Sequence, residues 1–123
     1  MAGNLPKSLQ ENVLTLLCFD DNKAKFIRAA VDIDLFESTY HEIAKQAYGF
    51  IDQFGQAPGE HIADLLEPVL GGEDKGKAKL VREILVYLFE SKSSVNAEYT
   101  ISKLSAFIRT QRLSVSVGEE PSA

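Results

Sequence analysis

Apolar residues recur every three or four positions along almost the whole chain, and no segment sustains the alternation of a strand. A period near 3.6 lines residues along one side of a helix, whereas a half-buried strand needs a period of two. An all-α fold follows. The clearest stretch is "TYHEIAKQAYGFIDQF", where Tyr40, Ile43, Ala47, Phe50, Ile51 and Phe54 share a face. Ser38 is placed to cap its start, and Gly55 with Pro58 to end it.

The same reading places the other helices. Ser8-Leu9-Gln10-Glu11 has the form of a capping box, leading into a helix through "VLTLLCF" that buries Leu9, Val13, Leu16 and Leu17. "DDNKAKFIRAAV" suits a short second helix with acids at its start and Phe26, Ile27, Ala30 and Val31 on one side. "DIDLFES" is a connector, and a helix over about residues 60–70 carries Pro68 near its end, where a kink or a stop is expected. The last two helices, "KAKLVREILVYLFESK" and "NAEYTISKLSAFIRTQRL", are joined by a few residues and are expected to form an antiparallel hairpin, the second capped by Asn96. The resulting division is a head over residues 5–70, a linker over 71–76 and a hairpin over 77–113. Residues 114–123, "SVSVGEEPSA", read as a disordered tail or the start of a further linker.

Composition narrows the function. The 123 residues carry a net charge of −5, which opposes duplex binding, because affinity for nucleic acid comes mainly from Lys and Arg neutralising phosphates. Little or no direct DNA binding is expected. No apolar run is long enough to cross a bilayer, no signal core is visible at the start, and the single cysteine, Cys18, sits in an apolar run. A cytoplasmic protein with a buried thiol is the expectation.

Candidate chemistry is sparse. "GGEDKGKAKL" contains Gly71, four residues, then Gly76-Lys77, the spacing of a phosphate-cradling loop. Ala78 stands where a magnesium-binding hydroxyl belongs, the preceding segment is helical rather than strand-like, and Glu73 and Asp74 would face the phosphates. The stretch therefore reads as a linker, and saturable Mg·ATP binding lost in Lys77→Ala is what would revive the nucleotide reading. His41 and His61 lack metal-ligand spacing, and the carboxylate pairs are explained by helix starts and loops. No catalytic residue, cofactor site or metal site is assigned.

The informative segment is "KLVREILVYLF". Its core stripe is Val81, Ile84, Leu85 and Leu88, flanked by Leu80 and Tyr87, while Val86 lies roughly 160° from the middle of that stripe. A helix apolar over so much of its circumference needs more than one partner. For Val86 and Phe89, burial within the domain and contact with another subunit remain open. The last helix carries Ala97, Ile101, Leu104, Phe107 and Ile108 as a stripe, with Tyr99 facing elsewhere as an exposed aromatic.

Taken in order, "LPKSLQENVLTLL", "AAVDIDLFESTYHEIAKQAYGFIDQFGQAP" and "NAEYTISKLSAFIRTQRL" resemble the N-terminal domain of replicative DNA helicases of the DnaB family. The resemblance runs from about Leu5 to Leu113. It lies in Pro6-x-Ser8 leading to Val13-Leu14, the segment from Phe36 to Ile43, Gly55-x-x-Pro58, and Tyr99, Leu104, Phe107 and Arg109 followed by Arg112-Leu113. Departures are a shorter opening before Val13, Thr15 where a glycine is common, and a linker without a family counterpart.

What the resemblance implies is a helical head with a protruding hairpin, 1–113 forming a collar domain. The hairpin pairs subunits into a hexameric ring, and the collar helps to recruit primase. The ATPase motor is a C-terminal RecA-like domain of the parent chain, a genuine P-loop lying beyond Ala123, so this segment is itself non-catalytic. The implied interface is Leu80, Ile84, Val86, Tyr87, Phe89, Ile101, Leu104 and Ile108. A free-standing helical adaptor that binds a replication protein is the alternative.

Overall fold

The computed structural model describes residues 5–119, with side chains over 5–111. Seven α-helices and one 3-10 turn make up these residues, and no strand occurs among them. In chain order they are α1 (Lys7–Phe19), α2 (Asp21–Ala30), the 3-10 turn (Ile33–Leu35), α3 (Ser38–Phe54), α4 (His61–Leu65), α5 (Glu67–Leu70), α6 (Lys75–Ser91) and α7 (Ala97–Glu119).

Side-chain caps set several of the starts. Asp20 accepts the N–H of Lys23 at 3.0 Å, Asp74 that of Lys77 at 2.9 Å and Asn96 that of Tyr99 at 2.8 Å. Gly55 closes α3 in the left-handed region at φ +72°, where a side chain would be strained. The helix expected over 60–70 breaks at Leu66, two residues before Pro68, which falls in the first turn of α5. A proline is tolerated there because a first-turn N–H would have no intrahelical acceptor to lose.

Two caps differ from expectation. Ser8 lies inside α1, which begins after Pro6 with no side-chain cap. Leu5 is buried and its N–H donates to the Leu35 carbonyl at 3.0 Å, so the chain is held in helix-entry geometry before Ser8 is reached. Ser38 is likewise a helical residue, and Glu37 occupies the cap position of α3. Gln10, fully buried, connects these two starts. Its amide donates to the Leu5 carbonyl at 2.6 Å and to a Glu37 carboxylate oxygen at 3.3 Å, and its Oε1 accepts the Glu37 N–H at 2.8 Å.

α1 is the centre of the molecule. Val13 to Cys18 are six consecutive buried residues, which at 3.6 per turn point in every direction around the axis. Neighbours are needed on all sides, and α2, α3, α6 and α7 supply them. The loop after α3 closes over the end of this helix. The Gly59 N–H reaches the Cys18 carbonyl at 2.6 Å, and the Ala57 N–H reaches Asp21 at 3.0 Å.

This centre changes the expected hairpin. α6 and α7, joined through residues 92–96, each pack on α1 and make few contacts with each other. The apolar surface of α1 outcompetes the mutual packing of two chain neighbours because it offers a continuous wall to both. α7 also runs to Glu119, past Leu113, so residues 114–119 are helical backbone, and the rest of the segment read as a tail lies outside the described residues. Phe26 and Phe54, expected on core faces, are exposed at 42% and 56%.

Candidate partner interface

Among the described residues, α6 packs mainly against α1, α3 and α5. Ala78, Val81, Ile84, Leu85 and Leu88 fill its packed side and are buried. Leu80, Val86 and Tyr87 remain exposed, at 43%, 52% and 42%. Each lies where helix geometry puts it: Leu80 and Tyr87, seven apart, on one flank of the buried stripe, Val86 on the outer face.

The other expected interface positions divide. Ile84 and Leu104 belong to the core, at 8% and 0% exposure, and their side chains are already spent inside the domain. Phe89 is half-buried because its ring meets that of Phe19 edge-on, with centroids 5.3 Å apart. Lys92 lies over both rings at 5.4 and 5.8 Å and pairs with Glu60 at 3.2 Å. Ile101 and Ile108 are partly buried against the core. Of the eight residues, only Leu80, Val86 and Tyr87 present an open apolar surface.

On the outer face, Arg82, Val86 and Glu90 form a row at i, i+4 and i+8, and all three are exposed. On the opposite flank, Leu80, Glu83, Ile84 and Tyr87 make one wall of an open groove of about 310 Å³. Lys7 and Glu11 of α1, and Glu37, Thr39 and Tyr40 at the start of α3, make the rest. The Tyr40 hydroxyl donates to Glu11 at 2.9 Å. Burial first, and then this carboxylate, raise the Tyr40 pKa, so the phenol stays protonated and the bond persists. Tyr40 was legible as a core residue, but nothing in its local spacing points to its carboxylate partner on α1.

Other surfaces are distinct. A groove of about 430 Å³ between α1 and α7 is lined by Leu9, Phe107 and the exposed Tyr99. Phe50, Phe54 and His61 cluster between α3 and α4, the Phe50 and His61 rings stacked 6.3 Å apart. The glycine-rich stretch follows α5 and opens α6, so a helix and not a strand precedes it. Asp74 caps the helix, Lys77 pairs with Glu42 at 3.2 Å, and a side chain at Gly72 would meet the Pro68 carbonyl at 3.0 Å. Among the described residues no group of His, Cys, Asp or Glu is arranged to hold a metal, and no helix is long and apolar enough to cross a membrane.

No protein-family model matches the chain, and comparison with characterised proteins and with solved structures gives no significant match. The helicase resemblance rests on the sequence pieces alone.

Proposed function

We propose that this chain is the non-catalytic N-terminal domain of a hexameric replicative DNA helicase of the DnaB type, joining subunits and docking replication partners such as primase. The observation that carries the reading is the solvent side of α6, which leaves Val86 open on the outer face and Leu80 and Tyr87 open on one flank while the helix's remaining large aliphatic residues pack inward. The order of the sequence pieces and the all-helical fold support it. The ATPase motor and DNA translocation belong, on this reading, to a RecA-like part of the parent protein.

Subunit contact is centred on Val86. If two copies of α6 cross antiparallel with Val86 on the two-fold, Arg82 of each faces Glu90 of the other, because both stand four residues from Val86. The face is thus complementary to itself. A single helix pair buries less than the roughly 1,000 Å² of a durable interface, so the isolated domain is expected to associate weakly and in proportion to its concentration. A ring of linked motors would multiply such a contact through effective concentration.

Sedimentation equilibrium tests this directly. The wild-type chain is expected to associate with rising concentration, and Val86→Glu to remain monomeric with an unchanged circular dichroism spectrum. A wild type that stays monomeric throughout, or a Val86→Glu chain that associates equally well, contradicts the assigned contact.

A further inference from the structure

The groove on the other flank of α6 faces a different kind of partner. Leu80, Glu83 and Tyr87 lie along one line of the helix at i, i+3 and i+7, a span of about 10 Å. Glu11 and Glu37 face them across the groove. Glu11 is held by the Tyr40 hydroxyl and Glu37 by Gln10, so two of the three carboxylates are pre-oriented by neutral donors. No charge among the described residues pairs with any of the three, and Lys7 is the one cation in the lining.

We propose that this groove docks a basic amphipathic helix of a partner protein. Its apolar residues, seven apart, seat on Leu80 and Tyr87, and its Lys or Arg side chains between them meet Glu83, Glu37 and Glu11. Charge complementarity selects the occupant. The apolar pair supplies burial, and three carboxylates against one lysine favour a cationic segment and repel an acidic one. A second copy of this chain, with net charge −5, is disfavoured at the same rim. At about 310 Å³ the open groove is near the lower bound for a small-molecule site, and it suits inserted side chains better. The proposal is independent of the helicase reading and of the Val86 contact.

The test uses the full chain, below the concentration at which it associates, and fluorescence anisotropy of two labelled helical peptides. One is built of Leu, Ala and Lys with leucines seven apart, and the other replaces every Lys by Glu. The lysine peptide is expected to bind and the glutamate peptide not to. Glu83→Lys and Leu80→Ser are each expected to weaken binding about fivefold. Glu73→Lys, the same charge change on the linker, and Val86→Ser are expected to leave it within about twofold. Circular dichroism verifies that each variant is folded. Absence of binding, equal binding of both peptides, or equal weakening by Glu73→Lys overturns the proposal. So does dissociation of a self-assembled chain by Leu80→Ser, which would make a second copy the occupant. Loss of self-association in Val86→Glu reports on the other face, so either idea can fail alone.

Discussion

α1 and α6 are both apolar helices, and they meet opposite fates. Six successive residues of α1, from Val13 to Cys18, are buried, whereas α6 buries one stripe and leaves Leu80, Val86 and Tyr87 to solvent. Apolar content does not separate them, although α6 carries six charged residues and α1 two. Position does: the Val13 to Cys18 part of α1 is enclosed by α2, α3, α6 and α7, whereas α6 packs through one stripe and leaves its other side to solvent. A helix apolar all round is satisfied at the centre of a domain, and at its edge the surplus becomes surface on which something else can pack.

The largest expected effect that tests this contrast is at the centre. Leu17→Ala removes a fully buried side chain of α1 and is expected to cost about 2–5 kcal/mol in chemical unfolding. A loss below about 1 kcal/mol would mean that α1 is not enclosed. Gln10→Leu leaves the Leu5 carbonyl and the Glu37 N–H without their partner, and about 1–3 kcal/mol is expected from the same measurement. If stability is unchanged, the clamp between the starts of α1 and α3 is dispensable.

Cys18 sharpens the contrast chemically. Burial pushes its thiol up to about 12 from 9.0, so iodoacetamide at mildly alkaline pH is expected to react with the denatured chain and hardly with the native one. The sign follows from linkage. The unfolded chain loses the proton first, so this group's share of stability is intact below about pH 9 and declines as pH rises towards 12, a decline that Cys18→Ala should remove. Fast native-state labelling would show that the α1 end is open. The smallest effects belong to the edge. Leu80→Ser and Val86→Ser are each expected to change the stability of the monomer by no more than about 0.5 kcal/mol, and a larger loss would place these side chains in the core.

The helices themselves were legible because their periods and many of their stops are local. Gly55 and Asn96 were readable as punctuation, since a left-handed cap and an N-cap depend on a few adjacent residues. Neighbour choice was not local. The apolar spacing put Leu9, Val13, Leu16 and Leu17 on a buried face of α1, and only the folded chain shows Leu14 and Thr15 buried on its other sides, while the short link between α6 and α7 suggested that those two would pair with each other. Likewise the angular positions of Val86 and Phe89 left their burial open: Val86 is exposed, while the fate of Phe89 depended on Phe19, a residue from the far end of another helix. Ile84 and Leu104 could be placed on apolar stripes, but only the folded chain shows that those stripes face inward.

A charge swap across the outer face of α6 tests the central claim most directly, measured by sedimentation equilibrium over a range of concentrations. Arg82→Glu should abolish association by setting Glu against Glu90, and the double variant Arg82→Glu with Glu90→Arg should restore it, because the two-fold exchanges both partners. Association that survives the single change, or that the double change fails to recover, would contradict an antiparallel contact centred on Val86.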